Sequence, residues 1–364
     1  MGRLDEHAAR AGCAAGNVSR MRVLLVGPSL PFPWMAYTAR ALRRLGHTAV
    51  PFRYTRRWIN RMAGLGAGRV PGVSPAAAWC AARWRAARDQ ALIDAARRMR
   101  PDLVLVLRGE LIAPEALAQV KRHTAGPCVT WWVDDPDRYP GSMERLALYD
   151  HVFVFDRACV RRLAAAGLSR VDFLPCACDE TIFRPATLSA AQRRRYGCEI
   201  ALVGWYYPNR GEIVKALNGF QVGVWGRGWT RADARQALNG VRTRVLRSAR
   251  YVSDDRAAAI YNAASIGLNV HHAQACEAGL NTRTFEVLAA GTFELIDAVP
   301  GMEELLAPGE EVVAYRSPFE ARELAAYYLR QPRERARIAE RGRARVLAEH
   351  TYVHRMRRLL HAAG

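Results

Sequence analysis

Short apolar runs alternate with amphipathic segments along most of the chain, and the period of each run predicts an element. Met21–Pro28 (MRVLLVGP) is apolar and closes on Gly-Pro; after a polar turn, Ala36–Leu45 is amphipathic and stops at Gly46. That order predicts strand, turn, helix and a glycine cap. A second strand is expected over Thr48–Phe52. Pro75–Arg100 is an alanine-rich helix candidate, closed by Pro101, whose ring a helix cannot continue through. Asp102–Leu107 (DLVLVL) is an almost unbroken apolar run, as a parallel strand covered on both faces requires. A helix over Pro114–His123 and strands over Cys128–Val133, His151–Phe155 and Val171–Leu174 continue the alternation.

Around Phe183–Arg195 the pattern breaks into Pro, Ser, Gln and an arginine triplet, which places the interdomain connection there. It restarts with strand Glu199–Val203, helix Glu212–Leu217, strand Gln221–Trp225, helix Ala257–Ala263 and strand Ile266–Asn269. Helix Thr282–Ala290, strand Thr292–Ile296 and helix Phe319–Leu329 follow, and from Arg333 the chain is a basic amphipathic helix or pair of helices. Strands alternating with helices predict doubly wound parallel sheets. The fold class is therefore α/β, with two Rossmann-like domains facing a cleft, and 364 residues suit two cores. The expected limits are a flexible leader over 1–20, a first domain over 21–185, a second over 196–348 and a closing helix over 349–364.

Charge narrows the partners. Fifty-four basic residues against 34 acidic ones give a net +20, and the basic residues are nearly all arginine. Such a chain favours polyanions: a nucleotide diphosphate, with peripheral contact to an anionic membrane as a second expectation. The arginines are spread through helices and not massed beside stacking aromatics, so nucleic acid is not an expected partner. No stretch approaches the roughly 18 apolar residues of a membrane span. Met1–Arg20 carries Asp5, Glu6 and His7 and lacks the apolar centre of a signal peptide, which makes the cytoplasm the expected location. None of the eight cysteines forms a CxxC pair, and reduced buried thiols are expected.

The segment richest in chemistry runs from Glu277 to Gly291: a polar glycine-containing loop, a helix start at Asn281-Thr-Arg-Thr284, then Glu286 and a closing glycine before a strand. Unpaired amides at a helix start, with the macrodipole, make an anion site. Arg283 sits in the first turn, where a diphosphate needs a counter-charge, and Glu286 one turn further is suited to accept from hydroxyls. The plain alternative has Asn281 or Thr282 capping the helix, Arg283 solvated and Glu286 in a surface pair. Asp134 and Asp135 end a strand of the first domain, where ligands of open α/β sheets sit. One can orient or deprotonate an acceptor hydroxyl, and the other, beside Pro136, can cap a turn. Glu110 is a weaker candidate on the same side. Adjacent carboxylates point to opposite sides of an extended chain, and His271 and His272 have no metal spacing, so neither a metal nor another cofactor is expected.

Arg283-Thr-Phe-Glu286 followed by Gly291 resembles the CgeB-like glycosyltransferase family, sometimes called spore maturation proteins, and is similar to the glutamate–helix–glycine donor motif of family-four retaining transferases. The resemblance extends over Trp131-Trp-Val-Asp-Asp-Pro136, Leu174-Pro-Cys-Ala-Cys-Asp179, Val203-Gly-Trp-Tyr-Tyr-Pro-Asn-Arg210, Trp225-Gly-Arg-Gly-Trp229, Ile266-Gly-Leu-Asn-Val-His271 and the Glu349-His-Thr-Tyr segment ending at Arg355. It departs at Thr282, where the family usually has methionine. It departs again at Glu277, which lies one position further from Glu286 than the family-four glutamate pair. The resemblance implies the GT-B fold, bacterial relatives and a donor nucleotide in the second domain, and a closing helix that packs back on the first. Gly204 and Gly226 would shape the loops at the donor, Tyr251 and Val252 would flank the base, and Arg210 and Arg283 would neutralise the diphosphate. The amides from residue 282 to Thr284, begun by Asn281, would complete the clamp, and Glu286 would bind the ribose. Asp134, Asp135 and Glu277 are the catalytic candidates.

The implied activity moves a sugar from a nucleotide-diphosphate donor to a hydroxyl of a glycan, protein or lipid, with retention. A nucleotide-sugar epimerase and a non-catalytic coat or scaffold protein of the same fold are the alternatives. An epimerase needs no separate acceptor, and a scaffold has no need of a polar anion site.

Overall fold

The computed structural model describes residues 20–28, 33–54, 75–229, 251–274 and 276–364. The expected leader lies, except for Arg20, outside the described residues.

The first unit is β1 (Arg22–Gly27), α1 (Trp34–Arg44), β2 (Thr48–Arg53), α2 (Pro75–Met99), β3 (Leu103–Leu107), α3 (Pro114–Arg122), β4 (Cys128–Trp132), α4 (Ser142–Leu146), β5 (His151–Val154), α5 (Arg157–Ala165) and β6 (Val171–Phe173). Its strands pair in parallel in the order β2-β1-β3-β4-β5-β6. The apolar runs are continuous because each face of the sheet has its own core, and alternate residues go to each. Val23, Leu25, Leu103, Leu105 and Trp131 join α1 on one side; Leu24, Val26, Val104, Val106 and Trp132 join α2 and α3 on the other.

The second unit is α6 (Ala190–Tyr196), β7 (Cys198–Val203), α7 (Pro208–Ala216), β8 (Val222–Trp225), α8 (Asp254–Ala263), β9 (Ala264–Asn269), α9 (Thr282–Ala289), β10 (Glu294–Asp297), β11 (Val313–Tyr315), α10 (Pro318–Leu329), α11 (Pro332–Glu349) and α12 (Tyr352–Ala363). Its parallel order is β11-β10-β9-β7-β8. The polar stretch read as a connection contains α6, which a reciprocal Ser189–Gln192 capping box starts.

The closing segment is a pair of helices, and the last returns to the first unit: Tyr352, Met356 and Leu359 sit in the same core as Val23 and Leu25. Chain passing between the units is held by Cys178 N–H donating to His350 O at 3.1 Å, Tyr352 N–H donating to Cys178 O at 3.2 Å, and Arg355, whose guanidinium donates to the carbonyls of Pro175, Cys176 and Glu349. Among the described residues no helix is long and apolar enough to cross a membrane.

Candidate active site

The carboxyl ends of both sheets open on one cleft, where ligands of open α/β sheets sit. A cavity of about 460 Å³ there takes its walls from both units.

The C-terminal wall starts at the end of β7. A Cβ on Gly204 would stand 2.5 Å from the Arg210 guanidinium, and one on Gly226 would stand 1.9 Å from the Gly204 carbonyl. Only glycine lets these turns pack so closely, and Gly226 also takes φ +150°. Gly204 faces the cavity and Gly226 supports it from behind. Arg210, in the first turn of α7, donates from Nε and Nη2 to Val270 O at 3.0 and 2.7 Å and from Nη1 to Trp205 O at 2.8 Å. It is 9% exposed and lines the cavity. Burial, then neighbouring Arg283, pulls its pKa below the usual arginine value against the opposing pull of Tyr207 and Asp297. Among the described residues no carboxylate comes within ion-pair distance of it. A buried cation so placed is stabilised by an anion brought into the cavity.

At the start of α9, Asn281 Oδ1 accepts from the Thr284 amide at 3.1 Å. That amide, expected in the anion clamp, is therefore taken by the cap, and Thr284 is fully buried with its hydroxyl accepting from Asn269 at 3.0 Å. Among the described residues the Thr282 and Arg283 amides have no acceptor, and both residues line the cavity. Behind the cap, His271 Nε2 accepts from the Asn281 amide at 3.1 Å, which leaves Nδ1 as the proton-bearing nitrogen facing Asp297 at 2.8 Å. Arg283 and Glu286 pair at 2.5 Å within the cavity wall rather than on the surface. Burial raises Glu286 to about 7, with Arg283 opposing the rise and Asp254 adding to it.

On the N-terminal wall, β3 runs into Arg108, whose φ of +72° is strained for a side-chain-bearing residue. Its guanidinium holds Glu110 at 2.6 Å and Asp134 at 3.0 Å. Asp134 also accepts from Tyr139 Oη at 3.0 Å, Gln274 Nε2 at 3.3 Å and Arg138 Nη1 at 3.4 Å. Burial pushes this carboxyl up, but Arg108 and the hydrogen bonds outweigh it and leave the pKa below the ordinary value. Of the adjacent pair, only Asp134 faces the cavity. Asp135 caps the turn at Pro136–Arg138, accepting from Asp137 N at 3.0 Å, and pairs with Arg162.

Glu277 lies outside the cavity, in an ion pair with Arg161. Asp156 fixes its turn by accepting from the Cys276 and Glu277 amides at 2.7 and 3.0 Å, and Ala278 follows at φ +54°. Glu110 is likewise spent within the first unit, on Arg108 and Tyr54.

Sequence reasoning missed the groups that meet across the cleft. Tyr37 of α1 donates its hydroxyl to Asp254 of α8. Gln274 donates to Asp134 while its Oε1 accepts from Arg138 at 2.7 Å and from the Asp135 amide at 3.3 Å. Local pattern marks Asp254 only as a helix-start residue, and nothing near Gln274 sets it apart.

The chain is similar to the spore protein CgeB of Bacillus subtilis strain 168, 23% identical over 252 residues covering 66% of this chain and 76% of that protein. Residues 210–361 match the family described as glycosyl transferase-like. The blocks at 225–229, 266–271, 283–291 and 349–355 fall inside the matched residues. Over 94% of its length the chain superimposes on the sucrose-phosphate synthase of Thermosynechococcus elongatus (98% of that chain, 15% identity, TM-score 0.66). Over 94% it also superimposes on HepE of Anabaena, solved with UDP and glucose (99% of that chain, 12% identity, TM-score 0.65). The chain thus has the GT-B fold.

Proposed function

We propose that the protein is a nucleotide-sugar-dependent glycosyltransferase that delivers a sugar to an acceptor hydroxyl. One observation carries the reading: Arg210, buried in the cavity wall with no carboxylate partner among the described residues, on the same wall as the two unpaired amides at the start of α9. When a nucleoside diphosphate leaves an anomeric carbon, charge grows on its phosphate oxygens. Fixed donors aimed there from a water-poor wall stabilise that charge far more than they would in bulk solvent. Glu286, steadied by Arg283, is placed to accept from ribose hydroxyls. The UDP and glucose bound by HepE support a nucleotide-sugar donor here.

Retention, the outcome the resemblance implies, is consistent with the state of Asp134. A carboxylate held below the ordinary range by Arg108 is a poor proton acceptor near neutral pH. The departing phosphate oxygen is then the base available to the acceptor hydroxyl. NMR of the new glycosidic linkage tests this: an inverted anomeric centre rejects it.

The donor assignment is tested by thermal shift with UDP, GDP and ADP. A ligand at a hundred times its Kd stabilises by about 2.7 kcal/mol. If no nucleoside diphosphate raises Tm, the reading fails.

A further inference from the structure

Glu294 opens β10 and is fully buried. It lies on the side of the sheet that α9 covers, since Ile296, two residues on, shares a core with Phe285 of α9. Among the described residues no cation comes within ion-pair distance of it. Oε1 accepts from Asn269 Nδ2 at 2.9 Å, and Oε2, also buried, has no partner. Burial carries its pKa well above the usual carboxylate value, with Asn269 opposing the rise and Asp297 adding to it, so the group is a neutral acid. An apolar side chain would fill this place without leaving a half-satisfied polar group. A local rule broken this close to a ligand cavity points to the one partner that gains from it, Asn269.

The orientation of Asn269 follows from the cavity inward. The Thr284 amide donates to Asn281 Oδ1 at 3.1 Å, so the other end of that carboxamide is a donor, and it reaches Asn269 Oδ1 at 3.0 Å. Asn269 Nδ2 is thereby turned to Thr284 Oγ1 at 3.0 Å and to Glu294, which has to present an acceptor there. Turned over, Asn269 would set its nitrogen against the Asn281 nitrogen, and the cap could persist only with two donors facing each other. The Asn281 backbone is held separately, by His271 Nε2 at 3.1 Å, so the side chain is the part that Glu294 governs. Resting on the transfer reading above, we infer that Glu294 is a positioning residue for the donor phosphates. Through Asn269 it fixes the Asn281 cap, and through the cap it fixes the direction of the free Thr282 and Arg283 amides. It touches no substrate itself.

The test uses the full chain, with Tm and calorimetry against UDP, or against GDP or ADP where that is the one wild type binds. Glu294→Gln keeps a neutral acceptor in place and should bind the nucleotide as wild type does. Glu294→Met keeps the length and removes the acceptor. It should weaken the nucleotide about fivefold, the effect of one lost helix cap, while its Tm stays level or rises. A merely structural carboxyl would move Tm and leave the affinity alone. Asn269→Ala should bring the same loss of affinity, and the double variant with Glu294→Met no further one, because both substitutions break a single chain of contacts. Wild-type affinity in Glu294→Met, equal losses in the Met and Gln variants, or additive losses in the double variant would each overturn the inference. Should Glu294→Met not fold, Asn269→Ala decides: the fivefold loss upholds the proposal and unchanged affinity ends it. Failure of wild-type protein to bind UDP, GDP or ADP is a separate outcome, which removes the transfer reading itself.

Discussion

On the C-terminal wall of the cleft, the groups facing the cavity come from a few short stretches, chiefly 204–210, 271–274 and 279–286, at strand ends and helix starts. On the N-terminal wall they come from residues as far apart as Trp34, Arg108, Asp134 and Tyr352. The first wall is assembled from local backbone geometry: a glycine turn, a helix start, a cap. The second depends on tertiary packing, with an arginine in a strained conformation tying strand ends together and aromatic rings buttressed by a helix from the far end of the chain. The difference teaches where chemistry and adaptability reside. Backbone amides and a buried cation suit a constant feature such as a diphosphate, whereas side chains gathered from across the fold can be exchanged to suit different acceptors.

The largest expected effect tests the C-terminal wall. Arg210→Met should lower kcat by about 10²–10³-fold, the usual cost of losing one preorganised donor to developing charge, and should weaken UDP markedly. Calorimetry and initial rates on one preparation check this. Transfer at wild-type rate would show that the diphosphate lies elsewhere.

Glu286 sharpens the same wall through pH. Its folded pKa of about 7 lies above the ordinary 4.5. The stability this contributes is therefore fully present below about 4.5 and is lost as pH rises through about 7. Glu286→Gln lacks that dependence, so its Tm relative to wild type should climb across the window. If ribose hydroxyls donate to the ionised carboxylate, wild-type UDP affinity should gain up to about tenfold per pH unit below the pKa and level off above it. A flat profile would detach Glu286 from the ribose.

A smaller effect is expected from the opposite wall. Asp134→Asn should leave UDP affinity intact and reduce kcat/KM by about tenfold, as expected for a lost charge-assisted hydrogen bond of about 1.5 kcal/mol. A fall of about 10²–10⁴-fold would instead mark a general base, and a loss of UDP binding would break the division between the walls. Least of all, Glu277→Ala should change neither nucleotide affinity nor Tm beyond experimental scatter. A clear drop in transfer would bring Glu277 back into the site.

Much of the C-terminal wall was readable before any coordinates, because its chemistry is carried by runs such as Val203–Arg210 and Asn281–Glu286, in which function and local geometry coincide. Even there Thr284 misled: an amide that looks free in a sequence is taken once Asn281 caps the helix. On the other wall, sequence marked Asp134 and Asp135 as a pair. Only the register of the strand end decides that the first faces the cavity and the second holds the turn. Arg108, Tyr37, Asp254 and Gln274 stayed hidden because each acquires its role from a partner tens to hundreds of residues away. Over most of the chain, α4, α5 and β11 excepted, the alternation of elements was legible, since both faces of each sheet are covered and apolar runs leave a strong signal. The helix Ala190–Tyr196 was not, because a short, arginine-rich element depends on its capping box more than on an apolar stripe.

The return of α12 to the first unit also sets an order of events at the ribosome. Tyr352, Met356 and Leu359 belong to the core that Val23 and Leu25 begin. At about 5–20 residues per second, β6 is finished roughly ten to forty seconds before those side chains are made. Until then the nascent first unit displays an unfilled apolar groove beside α1, open to chaperones or to a neighbouring polypeptide. The helix that closes the first unit is made only after the second unit's strands.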